Sequence, residues 1–368
     1  MKYTFNSKSI IIYSIAWSFN LLICNNSNAQ TERHEVSIDS VIIKARSLLF
    51  SSPDEAFKMS VDAIELSIKQ NNPLMLANSY RLQGSYYTDI KGDYDHAIKI
   101  YSKADSIYRK YDEKEYKEGV GAIFHCYGTI DQRQGKYFEA IQNYSKALNI
   151  LDSLGNRTIL PKTLNNISIL YAFLKDYAKA EKYSRECIRI CEENKDEYLE
   201  SVCSVGLADA LISQGKYDEA PKYLMKAREV ATKRNDLYIL ELSYLNFGNY
   251  YYLYKQDYKQ AIGDYLQALK YAESLGSEWE QIRVQTNLSE IYCLDNQFAD
   301  AQRLAERALE PAKKMQLKDL EQRLIVILAK VHAYYRNYSK AYELLNLSSQ
   351  LKDTVLNEGN QRHINYLE

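Results

Sequence analysis

The sequence predicts an all-α protein, a solenoid of stacked helix-turn-helix units, on three observations. A Gly or Asn, an aromatic two residues later and an alanine three after that recur along the chain, as in QGKYDEAPKY at 214–223. The alanines of these copies, Ala56, Ala97, Ala140, Ala180, Ala220, Ala261, Ala301 and Ala341, follow one another at 41, 43, 40, 40, 41, 40 and 40 residues. A fixed period of that length marks a stacked array, in which each unit buries its apolar face only against its neighbours. Third, 34 tyrosines stand against 13 glycines and 5 prolines, which favours long helices with aromatic packing over wide loops.

The first 29 residues differ in kind from the rest. Lys2 and Lys8 precede an apolar run from Ile10 to Ile23, and Ser27 and Ala29 offer small residues before Gln30, the pattern of a secretory signal peptide cleaved after Ala29. The run is shorter than the ~20 residues of a membrane span, so membrane association requires a retained anchor or a span beyond this sequence. A lipoprotein reading at Cys24 is weaker, because Ile23 replaces the small residue expected there. Residues 1–29 carry two lysines and no acids, so their removal takes the formal charge from -1 to -3. That balance supplies no field for nucleic acid.

The repeats then run from about residue 35 to 352. A degenerate copy, SSPDEAFKMSVDA at 51–63, lacks the aromatic; seven full copies begin with KGDYDHAIKIYSKA at 91–104 and end with YRNYSKAYELLNLS at 335–348. Each unit reads as a helix that stops at a polar tip, where Gly or Asn takes the left-handed conformation, and a second helix that starts at the aromatic. The aromatic (Tyr94, Tyr137, Tyr177, Tyr217, Tyr258, Phe298, Tyr338) is positioned to plug the gap between the helices, and the alanine lets their backbones approach. Two copies, QGSYYTDIKGDY and FGNYYYLYKQDY, carry one residue more before the turn, which predicts a local π-bulge or a slipped helix end. Pro221 falls near the first turn of its helix, a tolerated place.

Cysteine usage fits a core role. Five cysteines follow residue 29; Cys187 stands where its siblings carry Ala104, Ala147, Ala227, Ala268, Ala308 or Ser348, so cysteines filling small core positions are expected, with one bridge left open. Cys187 and Cys191 share a helical face, but CxxxC alone is a weak metal or redox signal.

These residues resemble the tetratricopeptide repeat family in its long-period subtype, found in kinesin light chain, and the periplasmic sensor region of bacterial signalling proteins with such repeats. The resemblance rests on Gly84, Gly128 and Gly248 with Ser168, Ala208, Ser289 and Ala329 on the first helices, and on the aromatic and alanines of the second. It implies a right-handed α-solenoid whose first helices line a concave surface that binds an extended peptide or a partner protein. It further implies that Asn166, Asn246 and Asn287, two residues before the small residue of their first helices, bond the main chain of that partner, since an amide both donates and accepts. Lys162, Arg283 and Arg323, four residues earlier on the same face, would engage carboxylates. Val205 and Val326 replace the polar groups of a full carboxylate clamp.

Catalytic signatures are missing from the sequence: no phosphate-cradling glycine loop, no HExxH and no CxxC, with His34, His96, His125, His332 and His363 scattered. No enzyme activity, metal or cofactor is expected. DEKEYKEG and EENKDEY read as solvated helix-end charge, and DSI, DSL and DTV as chance matches to O-glycosylation triplets. Residues 353–368 read as a helical linker, so the expectation is an exported scaffold, or the sensing part of a signalling protein. The alternatives are a cytoplasmic peptide-responsive regulator with an uncleaved N-terminus, or a glycan-binding accessory.

Overall fold

The computed structural model describes residues 37–49, 52–315 and 317–367, with side chains described as far as residue 352. The expected signal peptide at 1–29 and its cleavage point lie outside the described residues. Among those residues every regular element is helical. The helices are α1 (Ile38–Leu48), α2 (Pro53–Lys69), α3 (Pro73–Tyr86), α4 (Tyr94–Tyr108), α5 (Lys114–Arg133), α6 (Tyr137–Ser153), α7 (Leu160–Phe173) and α8 (Tyr177–Asn194). They continue as α9 (Glu197–Ser213), α10 (Ala220–Arg234), α11 (Leu237–Tyr250), α12 (Tyr258–Leu275), α13 (Glu278–Leu294), α14 (Phe298–Lys314), α15 (Lys318–Tyr334) and α16 (Tyr338–Leu367). No described helix is long and apolar enough to cross a membrane. Residues 353–367, expected as a separate linker, continue α16.

The repeat grammar dictates these boundaries. Five residues before each alanine of the seven full copies the backbone is left-handed: Gly92, Gly135, Lys175, Gly215, Gln256, Asn296 and Arg336, with φ between 53° and 76°. Lys175, Gln256 and Arg336 hold this conformation without glycine, at a cost of about 1–2 kcal/mol each, because the packing of both flanking helices fixes the tip. Asp93, Asp176 and Asp257 follow the tip and cap the second helix, each carboxylate accepting from the N–H three residues on, at 3.1, 3.2 and 3.0 Å. Pro221 has the larger effect that its chemistry allows: lacking an N–H, it sits in the first turn of α10, which starts at Ala220 rather than at the aromatic Tyr217.

The extra residue in two copies becomes a π turn, Tyr87–Lys91 after α3 and Tyr251–Lys255 after α11. One added residue widens one turn, and the following tip and cap keep their places.

The core differs in one respect from expectation. The aromatics at the start of the second helices are only half-buried where described between Tyr94 and Phe298, and Tyr338 is exposed. The gap is filled instead by Tyr101, Tyr144 and Tyr265, four residues after the alanine, each no more than 2% exposed. Their rings lie against glycine on the first helix: a Cβ on Gly84, Gly128 or Gly248 would stand 2.3, 2.7 or 2.4 Å from Tyr101, Tyr144 or Tyr265. Copies with a larger first-helix residue carry a smaller partner at the same place, Ala208 with Leu224 and Ser289 with Ala305, while Ser168 and Ser184 share a 2.6 Å hydroxyl contact. Size is thus exchanged across the hairpin at constant packing.

Contacts divide the helices into two units, one ending at Asn166 and the other starting at Ile167. The first centres on Ala97, Tyr101, Tyr108, Ile123 and Ile130, and the second on Tyr265, Val284, Leu288, Ala305 and Leu324. In the second, Cys187 of α8 is joined to Cys203 of α9 by a disulfide, with Cα atoms 6.4 Å apart. Cys187 is therefore a crosslinking residue as well as a core filler, a pairing that spacing could not give because the partner sits on the next helix.

Candidate functional site

In the first unit the first-helix face carries unbalanced positive charge. Arg46 projects from α1 and Arg81 from α3; the Arg81 guanidinium beside it, with partial desolvation, lowers Arg46 to about 10. Among the described residues no carboxylate is ion-paired with either arginine. The Tyr108 hydroxyl donates to Asn78 Oδ1 at 2.7 Å, while the buried Arg81 Nε has no hydrogen-bond partner. An uncompensated guanidinium N–H held away from water favours an incoming anion.

His125 of α5 and Lys162 and Asn166 of α7 complete this unit's face. His125 Nδ1 lies 3.0 Å from Thr163 Oγ1, and burial, followed by Lys162 and Arg81, pushes its imidazole down to about 3. The Asn166 amide donates to the Tyr144 hydroxyl at 3.1 Å, and that hydroxyl donates to Gln132 Oε1 at 2.9 Å. Asn166 thus holds the gap-filling ring and is itself half-buried.

His125 has a stability consequence with a definite sign. Its folded pKa is below that of the unfolded chain, so its contribution is present above pH ~6.5 and is lost as pH falls, because the unfolded state gains the proton first. Between pH 7 and pH 5 the loss from this residue is expected at roughly 2 kcal/mol. Urea unfolding of His125→Gln should therefore show a smaller decline over that interval than the unsubstituted protein. Equal declines would contradict the assignment.

The second unit carries the opposite balance. Arg283 of α13 reaches both oxygens of Glu241 of α11 at 3.1 Å and also pairs with Glu280. Its guanidinium stacks on Trp279 at 4.8 Å. Glu241 is fully buried; burial pushes its carboxyl up to about 7, Arg283 working against that rise and Glu280 adding to it. Burial also raises Asp209 of α9, with Arg283 opposing. Three carboxylates thus share one nearby guanidinium.

The remaining predicted residues are engaged within this unit. Arg323 Nη2 donates to Asn287 Oδ1 at 2.9 Å and to Glu290 at 2.7 Å. Asn246 is 3% exposed, and its Oδ1 accepts from Asn249, whose own Oδ1 accepts from Tyr265 at 2.7 Å. Asn246 therefore supports the core tyrosine and offers little to solvent, while Arg283 and Arg323 are already matched by carboxylates. Sequence reasoning missed Arg46, Arg81, Asp209 and Glu241. Arg81 shares a repeat position with His125 once the π turn is allowed for, a signal that was available; Arg46 lies in the degenerate first copy, where no register exists.

Tetratricopeptide repeat models match residues 119–193 and 204–232. Photosystem I assembly protein Ycf3 of Prochlorococcus marinus is 30% identical over 127 residues, 33% of this chain and 69% of that protein. The chain belongs to the tetratricopeptide repeat family. The mitochondrial tetratricopeptide repeat protein 19 of Rattus norvegicus is 23% identical over 283 residues, 71% of this chain and 76% of that protein. Among solved structures, the Rap protein complexed with competence and sporulation factor has a TM-score of 0.58 at 15% identity, covering 87% of this chain and 98% of that one. NprR in complex with its cognate peptide NprX has a TM-score of 0.56 at 16% identity, covering 89% and 100%. These likenesses establish a tetratricopeptide solenoid with longer repeats, the protein-interaction architecture expected from the period of about 40 residues.

Proposed function

We propose that this tetratricopeptide repeat protein is an exported, non-enzymatic scaffold that binds a peptide or protein partner on its first helices, and that an anionic group of the partner is taken by Arg46 and Arg81. The observation that carries this reading is the buried Arg81 Nε with no hydrogen-bond partner, and, among the described residues, no carboxylate ion-paired with Arg81 or Arg46; Arg81 also lowers the Arg46 guanidinium. A side-chain or C-terminal carboxylate placed there relieves the repulsion and satisfies the N–H. Lys162 and Asn166 lie on the same unit and extend the surface. NprR, similar in fold, is complexed with a cognate peptide, which supports a peptide ligand and a sensing role in signal transduction. Export is supported by the pattern of residues 1–29, and a mature N-terminus at Gln30 is its test.

Selection of a random peptide library with free C-termini on the full chain tests the binding reading. Acidic or C-terminally dependent peptides are expected, and the Arg46→Ala/Arg81→Ala variant should bind them at least ~30-fold more weakly at unchanged helicity, the scale of one desolvated charge pair. Unchanged affinity would remove the anion assignment. Failure to select any peptide would remove the peptide reading.

A further inference from the structure

Three sulfurs converge where α8 meets α9. The Sγ atoms of Cys187, Cys191 and Cys203 all lie within 4.8 Å of one another, Cys187 and Cys191 at 4.0 Å, and none of the three residues is more than 1% exposed. The disulfide uses two of these sulfurs and leaves Cys191 as a thiol in contact with the bond.

Packing does not call for sulfur here. At the repeat position of Cys187 the siblings Ala104, Ala147, Ala227, Ala268 and Ala308 are fully buried, and at that of Cys191 so are Ala231, Ala272 and Ala312. Alanine fills the first place in those five copies, and the second takes alanine, Leu151 or Tyr108, so packing demands sulfur at neither, and two cysteines on one face, opposite a third, need another account. A second feature adjoins them. A cleft of about 330 Å³ is lined by Ile188 and Glu192, each next to a cysteine of α8, and by Glu200 and Leu207, one turn to either side of Cys203. Lys226 of α10 also lines it and pairs with both glutamates. The cleft lies beside the buried sulfurs, and none of the three cysteines lines it.

We infer that Cys187, Cys191 and Cys203 form a site for one thiophilic monovalent cation, copper(I), taken up when the Cys187–Cys203 pair is reduced. Soft sulfur donors select copper(I), zinc or iron–sulfur clusters. Structural zinc takes four protein ligands and iron–sulfur clusters take four cysteines, whereas no fourth His, Cys, Asp or Glu joins this group among the described residues. The three sulfurs lie within 4.8 Å of one another, and once the Cys187–Cys203 bond is reduced those two must move apart for all three to reach one cation at a metal–thiolate distance of about 2.3 Å. Reduction consumes two electrons and two protons from a dithiol, which becomes a disulfide, and leaves thiols on Cys187 and Cys203. Binding then exchanges thiol protons for the cation, with no change in the oxidation state of the metal.

The test uses the full chain, reduced with a dithiol, freed of it anaerobically, and titrated with copper(I) against a chromogenic copper(I) chelator. One copper per chain should be retained, with X-ray absorption reporting three sulfur neighbours. Cys187→Ala and Cys191→Ala, each installing a residue found at that place in other copies, should each retain less than about a tenth as much at unchanged helicity. Zinc should not be retained, and the oxidised chain should hold no copper. Negligible retention by the reduced wild type, equal retention by Cys191→Ala, two sulfur neighbours instead of three, or zinc retained in preference to copper would each overturn the site. The absorption measurement on the wild type decides the ligand number even where a variant loses structure.

Discussion

Arg283→Ala is expected to destabilise the protein by about 3–5 kcal/mol, the cost of removing one partner from a buried charge pair. The substitution leaves Glu241 fully buried, with Glu280 5% exposed nearby and Asp209 losing the one cation that favours its charged form. The effect has a pH signature. Glu241 already titrates near 7 in the folded state, above an unfolded carboxyl near 4.3, so folding takes up a proton between those values and the group favours the folded state more as pH falls. Without Arg283 the charged form becomes costlier still, so the loss should be larger at pH 8 than at pH 5.5. Adding Glu241→Gln should recover at least ~2 kcal/mol at pH 8, since the isosteric amide removes the stranded charge. Urea unfolding at the two pH values measures all three chains. A loss below about 1 kcal/mol, or no recovery in the double variant, would mean that water already screens the cluster.

Tyr265→Ala should cost about 3–5 kcal/mol, a large-to-small change at a ring 1% exposed, together with its hydrogen bond to Asn249. The sharper result concerns its neighbour. Gly248→Ala places a Cβ 2.4 Å from the ring, an overpacking expected to cost about 1–3 kcal/mol net. In the Tyr265→Ala background the obstruction is gone, and the same change should instead stabilise by about 1 kcal/mol, the helix-propensity gap between glycine and alanine. A sign reversal of this kind is read directly from a double-mutant cycle. Additive effects would show that the ring moves aside freely and that the exchange of size between the two helices is coincidental.

Much of the fold was legible because it depends on local rules that repeat. The period located seven tips, and a one-residue surplus marked both π turns before any coordinates. What escaped was set by packing between helices. Lys175, Gln256 and Arg336 are left-handed although nothing in those side chains favours it, and the gap-filling tyrosines are Tyr101, Tyr144 and Tyr265 rather than the aromatics that open the second helices. The candidate site was less legible still. Register nominated amides and cations for it, but Arg283 meets Glu241 across 42 residues and Arg323 meets Asn287 across 36, about one repeat in each case. Register names which residues share a face and does not say which of them neutralise one another. Arg46, in a copy too degenerate to align, carried no signal of that kind.

Under tension applied to its two ends, a stacked array gives way unit by unit, because each unit is secured only by its neighbours. Each unit of about 40 residues then adds about 140 Å of thread. The bond between Cys187 and Cys203 interrupts that sequence of events. It joins the last turns of α8 to the first of α9 across 16 residues, so force passes through the two sulfurs and the enclosed stretch stays slack. The oxidised thread ends about 55 Å shorter than the reduced one, and these two neighbouring hairpins are held together by a covalent bond in addition to the main chain.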